Sequence, residues 1–357
     1  MKDEMNCPRV TVLMPAYNAA RYVGEAIQSV LDQSYSDWEL LIVNDGSTDN
    51  TAEIIESYAD PRIRVLNNPQ NLRLIKTLNR GLKEARGEYV ARLDADDRAA
   101  PERLRLQMSF FESHPDLVMI GGCSNIIDEH GVVQSSVERR HCTQPGSLQW
   151  EAVFCNPFRH SAVTFRKDAV LAAGGYPEWA KDLEDSALWS KLMLQHDCAN
   201  LKEILCDYRV HSESIVSQAK QAAADVLEEP RRGIASAVYY ESAMNCGVPE
   251  PLAREWSRHW TNVRLPVPGE QVDVSAIRIA LLNILPYQPK SSESCSESSL
   301  ISAWACFQLL QIAFRQRDFK NIFAITVGAL RHCPCSLFQK LVVSIRRKLQ
   351  RREFVKS

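Results

Sequence analysis

Three carboxylates fall within four positions at Asp94, Asp96 and Asp97, in the run Arg92-Leu93-Asp94-Ala95-Asp96-Asp97. Side chains that close repel one another. A hard divalent cation relieves the repulsion and can bridge to phosphate oxygens. The competing reading is an acidic loop that caps the helix expected from Pro101. A second constellation is Val43-Asn44-Asp45-Gly46-Ser47-Thr48-Asp49. Asp45 could accept the N3–H of a uracil or similar base, or the segment is a plain turn and helix cap. A third is Asn71-Leu72-Arg73, where Arg73 could make paired charge-assisted bonds to a diphosphate or lie free in solvent.

The elements that must carry these groups follow from the apolar pattern. Strands are expected at 10–14, 40–43, 63–66 and 88–93, and helices at 19–33, 51–58, 74–85 and 101–113. Ser47, Thr48 or Asp49 can cap the second helix, and Pro101 suits the first turn of the fourth. Strand–helix alternation at this spacing predicts an α/β fold with a mainly parallel central sheet flanked by helices. In such a sheet ligands bind beyond the carboxyl ends of the strands, where all three constellations fall. Further strands are expected at 118–120, 126–128 and 162–165, with a helix at 185–196. After residue 217 the pattern is helical, with a Pro- and Ser-rich linker at 285–299.

Composition narrows the class. The chain has 357 residues, and 42 Lys and Arg balance 44 Asp and Glu, so a bulk nucleic-acid binder is excluded. Hydrophobic residues at 45% supply enough side chain for a core, which excludes a mostly disordered chain. The 11 cysteines include no CxxC pair and read as scattered reduced thiols. The start, MKDEMNCPRV, carries acids and no apolar run, so no signal peptide is expected. The stretch 300–314 is interrupted by polar residues and reads as a buried helix, not a membrane span. The first strand runs into Pro15-Ala16-Tyr17-Asn18. GxGxxG and Walker A loops are absent, which weakens a dinucleotide or P-loop reading.

Taken in order, these pieces resemble the nucleotide-sugar-binding half of family-2 glycosyltransferases, which have the GT-A fold. The resemblance runs through PAYN, Glu25 with QSVLDQSY at 28–35, VNDGSTD at 43–49, the segment 71–79, GEYVARLDADD at 87–97 and PERL at 101–104. It continues with Asn156-Pro157-Phe158-Arg159-His160-Ser161, which looks like the family's acceptor-side loop. Gly174-Gly175-Tyr176, the Glu184-Asp185 pair, and Tyr208-Arg209-Val210-His211 with Ser214 follow. The similarity covers about residues 9–216 and is nearest to bacterial members that build O-antigen, capsule or lipopolysaccharide. Two departures stand out. Arg73 occupies a place where many members have glycine, and Lys181-Asp182-Leu183 before the acidic pair is less typical.

The resemblance implies an inverting, metal-dependent transferase that moves a sugar from a UDP-linked donor to a glycan or lipid-linked glycan acceptor. Asp185 is the implied general base. Pro15, Tyr17, Asn18, Glu25, Asp45, Arg73, Asp94 and Ala95 would bind the donor, with Asp94 at the ribose or an outer-shell water. Asp96 is the first metal ligand for Mn²⁺ or Mg²⁺, and His211 a further ligand, a phosphate contact or a structural histidine. Glu184, His160 and Trp189 would face the acceptor; Trp189 could stack on a sugar or belong to the core. The expected organisation is a GT-A domain at 1–216, with a donor half at 9–113 and an acceptor half at 114–216. A mostly helical region would fill 217–357. Its last helix, 336–352, carries an apolar stripe. Seven basic residues lie in 340–357 against Glu353 alone. A basic amphipathic helix of this kind can lie on an anionic membrane surface. The implied location is cytoplasmic, peripheral on the inner face of the membrane; an oligomer is compatible with the sequence. The rivals are a nucleotidyltransferase, which would favour a Gly-rich phosphate loop, and a catalytically silent sugar-binding or membrane-scaffold protein.

Overall fold

A computed structural model describes residues 7–137, 145–212, 228–264, 273–284 and 305. The linker expected at 285–299, the helices at 300–314 and 336–352, and Ser214 lie outside these residues. The chain divides into two compact units: residues 1–145 with 156–227, and residues 146–155 with 228–357.

The first unit is built on one sheet. Strands β1 (Val10–Ala16), β2 (Trp38–Asn44), β3 (Ile63–Asn67) and β4 (Tyr89–Arg92) pair in parallel, in the order β3-β2-β1-β4. Every residue of β1, β2 and β4 is buried. That explains why they read as continuous apolar runs and not as alternation. Helices α1 (Val23–Leu31), α2 (Thr51–Glu56) and α3 (Leu74–Glu84) make the crossovers. Because the four strands run the same way, the loops after each open on one edge. That edge gathers the segments 17–18, 45–49, 68–73 and 93–97.

Beyond β4 the sheet becomes mixed. The two-residue strand β5 (Arg98–Ala99) follows the acidic run, and helix α4 (Arg103–Ser113) comes next. Strands expected separately at 118–120 and 126–128 are one strand, β6 (Met119–Ile127), carried through Gly121-Gly122-Cys123-Ser124. It pairs antiparallel with β7 (Val133–Val137) and with β8 (Thr164–Arg166), and parallel with β9 (Cys198–Arg209). β8 also pairs antiparallel with β4, and β5 with β9. The expected strand at 162–165 therefore starts later, after a 3₁₀ turn at His160–Ala162.

Two buried polar side chains on α4 fix the floor of the site. Arg103 donates to Ser161 O at 2.7 Å, Arg92 O at 2.8 Å and Val163 O at 2.9 Å. Burial lowers its pKa to about 10, yet the guanidinium stays charged at neutral pH. Gln107 donates to Ile120 O at 3.0 Å and Ala162 O at 2.9 Å, and accepts from Thr164 Oγ1 at 2.7 Å. These bonds satisfy buried carbonyls, and Val163 O accepts the Arg92 N–H at 3.0 Å as well. They tie the end of β4 to the turn before β8.

After helix α5 (Pro145–Ala152) and the 3₁₀ turn, α6 (Lys167–Ala172) and α7 (Glu184–Gln195) complete the first unit. The second unit packs α8 (Glu228–Asn245), α9 (Glu250–Arg264) and α10 (Val274–Ile284) with residues 146–155. Trp256 and Trp260 stack with ring centroids 4.8 Å apart, and both meet Phe154 edge-on. No helix among the described residues is long and apolar enough to cross a membrane.

Candidate active site

The acidic run leaves the end of β4 and turns back on itself, with Asp97 N–H donating to Asp94 O at 3.2 Å. Carboxylate oxygens of Asp94, Asp96 and Asp97 all lie within 4.8 Å of one another. Asp94 and Asp96 are half-buried, whereas Asp97 is fully buried. Burial first, then the charges of Asp96 and Asp94, push the Asp97 carboxyl well above the usual range. Its Oδ1 accepts the Arg209 N–H at 2.7 Å and its Oδ2 is buried with no hydrogen-bond partner. Three acids held this tightly suit a hard divalent cation, which would cancel the repulsion. His211 Nε2 lies 2.9 Å from Asp96 Oδ2, so the histidine expected as a ligand reaches the acidic turn from beyond β9.

The turn is clamped by Arg209, a residue whose role its sequence position did not disclose. Its Nε donates to Asp96 O at 2.8 Å, and its Nη2 pairs with Glu25 at 2.7 Å. Glu25 thus holds the arginine that holds the acidic turn. Arg92 was missed as well. It is fully buried, with Nη2 2.5 Å from Asp94 Oδ1, while Nε and Nη1 meet no partner. Burial would lower its pKa, but Asp94, Tyr176 and Asp97 outweigh that and raise it.

The loops after β1, β2 and β3 are braced against one another. Asn18 donates its N–H to Ser47 Oγ at 3.1 Å and accepts the Thr48 N–H at 2.9 Å. Asp45 is buried; its Oδ1 accepts from Asn68 Nδ2 at 2.6 Å and from the Leu72 N–H at 2.9 Å. Tyr17 is exposed, but Pro15 and Ala95 are buried, so those two shape the edge and offer little side-chain surface to a ligand. Arg73 stands just before α3 with φ 71° and ψ 160°, a region that only glycine enters without strain. Arginine thus occupies a backbone geometry that suits glycine.

The acidic pair opens α7. Glu184 is buried, and burial and then the Asp185 charge push its carboxyl up to about 8. Asp185 is also raised, by burial, against opposing hydrogen bonds. Its Oδ1 accepts the Ser186 N–H at 2.6 Å and its Oδ2 accepts Asn156 Nδ2 at 2.7 Å. Burial thus favours the neutral form of Glu184 above the usual carboxylate range, while the hydrogen bonds from Ser186 and Asn156 favour the ionised form of Asp185. Asn156 begins the loop whose Ser161 Oγ donates to Asp94 Oδ2 at 2.9 Å. One six-residue loop thus touches both Asp185 and the acidic turn.

His160 lies in that loop, 2.9 Å from the Tyr176 hydroxyl through Nε2, and burial holds its pKa well below the ordinary value. Of the two readings of Trp189, sugar contact or core, its burial fits the core. Its ring is fully buried among Phe158, His160, Phe165 and Tyr176, and no face remains for a ligand.

The model of glycosyl transferase family 2 matches residues 11–167. EpsE of Bacillus subtilis, named as a glycosyltransferase, is 35% identical over 213 residues, 58% of this chain and 74% of EpsE. The chain belongs to glycosyltransferase family 2. The amylovoran biosynthesis glycosyltransferase AmsE of Erwinia amylovora is 33% identical over 210 residues, 57% of this chain and 77% of its own. Among solved structures, S. aureus TarS 1–349 in complex with UDP-GlcNAc matches with a TM-score of 0.59 at 20% identity, covering 90% of each chain. That likeness carries the fold, so this family-2 glycosyltransferase has the GT-A type of architecture. The family match ends within the first unit and assigns nothing to residues 228–284.

Proposed function

We propose that the protein is an inverting, metal-dependent glycosyltransferase that takes a sugar from a UDP-linked donor and places it on a bacterial surface-glycan precursor, free or lipid-linked. The observation that carries the reading is the loop from Asn156 to Ser161, which bonds Asp185 at one end and Asp94 at the other. A base and a leaving-group site joined in this way hold acceptor and donor on either side of one anomeric carbon. Orientation of that kind supplies much of a transfer rate.

Asp185 accepts the acceptor hydroxyl proton as its oxygen bonds to the anomeric carbon. The carbon–oxygen bond to the diphosphate breaks on the opposite face, and its electron pair leaves with the nucleotide. One displacement without a protein nucleophile inverts the carbon. Asp96, with His211, would hold Mn²⁺ or Mg²⁺, which would supply positive charge against the departing diphosphate, and Asp94 would meet the ribose or an outer-shell water. Arg73 at the start of α3 adds a second positive charge from the donor side. Asp45, with one oxygen committed to Asn68 and Leu72, offers the other to the base.

The name of the amylovoran biosynthesis glycosyltransferase AmsE supports a bacterial glycan product, and the UDP-GlcNAc in TarS supports a UDP donor. The basic segment at 336–352 supports a cytoplasmic protein lying on the inner membrane face, next to a lipid-linked acceptor. The experiment is a panel of nucleotide sugars with Mn²⁺, Mg²⁺ or EDTA, read by thermal shift and slow donor hydrolysis together. Stabilisation by one UDP-sugar that EDTA abolishes is expected. Indifference to every nucleotide sugar would sink the proposal.

A further inference from the structure

The loop that joins base and acidic turn carries an arginine that neither group uses. Arg159 is half-buried and stands with its guanidinium carbon 4.3 Å from the centroid of the Tyr208 ring. Among the described residues it makes no ion pair, and its guanidinium donates no hydrogen bond. Its Nε is buried without a partner. Of the neighbouring arginines, Arg98 is committed to Asp207, Arg209 to Glu25 and Asp96 O, and Arg103 to three carbonyls; Arg92 faces Asp94 through Nη2, and Arg73 stands apart at the start of α3. A guanidinium has five donors in a rigid fork matched to phosphate and carboxylate. Keeping that fork half-buried and unpaired is costly unless an anion completes it.

Its place says where the anion sits. Arg159 is three residues from Asn156, the partner of Asp185, and two from Ser161, the partner of Asp94. At about 3.5 Å per residue its Cα lies within roughly 11 Å of the first and 7 Å of the second. Tyr208, which supports the guanidinium, precedes Arg209, whose N–H and Nε hold Asp97 and Asp96 O. Burial first, and then the Asp97 charge, raise the Tyr208 hydroxyl well above its usual pKa, so the ring stays neutral under the cation. Stacking on Tyr208 fixes the plane of the fork and lowers the entropy lost on binding.

We propose that Arg159 is an oxyanion-binding residue, taking a phosphate of the substrates between Asp185 and the Asp94–Asp97 turn. The inference rests on the glycosyltransferase reading above and extends it. Two sources share this chemistry: the diphosphate of the nucleotide donor, and the phosphate that joins a glycan acceptor to its lipid.

The test uses the full-length protein with Mn²⁺ and the variants Arg159→Ala, Arg159→Gln and Arg159→Lys, each checked for an unchanged melting temperature and circular dichroism. Calorimetry measures UDP, GDP and dTDP against the matching nucleosides in one arm, and farnesyl diphosphate as the lipid-phosphate probe in the other. Loss of about tenfold or more in nucleoside diphosphate affinity in the Ala and Gln variants, with nucleoside binding unchanged and partial recovery in Lys, assigns the donor diphosphate. The same loss confined to farnesyl diphosphate assigns the acceptor phosphate. Unchanged affinity for both probes overturns the role of Arg159 and leaves the transferase reading standing. A wild-type protein that binds no nucleoside diphosphate removes the transferase reading. If it also ignores farnesyl diphosphate, the oxyanion site falls with it.

Discussion

At the scale of single residues, the Glu184–Asp185 pair decides the pH behaviour. Asp185 works only when ionised, and burial raises its pKa. The acid limb of kcat/KM should therefore lie above the usual carboxylate value of about 4. Asn156 donates to the ionised form, so Asn156→Ala should move that limb further up, and a pH–rate series on both proteins checks it. Asp185→Asn should cost on the order of a hundredfold to ten-thousandfold in turnover. Glu184 makes the complementary statement about stability. Its carboxyl is pushed up to about 8 by burial and by Asp185. A carboxyl raised in the folded state keeps a proton that the unfolded chain has lost. Its stabilising effect is whole below pH 4 and fades as pH rises through about 8. Glu184→Gln should flatten that fall and make the protein more stable than wild type at pH 9, by on the order of a few kcal/mol. Urea unfolding at pH 5 and pH 9 reads this directly.

At the scale of elements, the start of α3 carries a conflict between fold and function. Arg73 occupies φ 71° and ψ 160°, where a side chain costs about 1–3 kcal/mol. Arg73→Gly should stabilise the protein by about that amount while weakening nucleoside diphosphate binding; a rise in melting temperature with no change in affinity would show that the strained arginine serves no ligand. Sequence made this helix and its three neighbours legible, because each parallel strand is a continuous apolar run and each helix has a periodic face. It also gave the acidic turn and the acidic pair their places at element ends. What it hid was set by distant partners. β6 was broken in two by Gly121-Gly122-Cys123-Ser124, whose pairing with β9 is invisible locally. β5 is two residues long and exists only because β9 runs beside it. Asn156 and Asp185 are 29 positions apart, so their bond leaves no periodic trace. Trp189 sits one turn after Asp185, and spacing alone could not say that four side chains enclose it. Arg159 and Arg209 read as ordinary loop and strand cations until their partners, or the lack of them, were in view.

At the scale of the molecule, the covalent order of the chain and its compact units do not coincide. A boundary drawn at residue 216 separates a family-2 domain from a helical tail, but residues 146–155 belong with that tail. Phe154 meets Trp150 edge-on as well as Trp256 and Trp260, and both Trp150 and Phe154 are fully buried. The indole N–H groups of Trp256 and Trp260 donate to Val153 O at 3.1 Å and Phe154 O at 2.7 Å, so the segment is fixed by hydrogen bonds as well as by apolar area. A chain that stops at residue 227 keeps 146–155 and loses Trp256 and Trp260, which pack on Phe154 and bond the backbone there. Two aromatics of roughly 150–250 Å² each then face water, which at about 25 cal/mol per Å² costs up to roughly 12 kcal/mol. The shortened protein should bind a hydrophobic dye such as ANS and aggregate at concentrations where the whole chain is soluble. Trp150→Ser with Phe154→Ser in the shortened chain should recover much of the solubility, because it removes the exposed rings and leaves the first unit untouched. Dye binding and light scattering on the three proteins decide the matter. A shortened chain that stays soluble, dye-free and as heat-stable as the whole would mean that residues 146–155 need no cover from 228–284, and that the first unit stands alone.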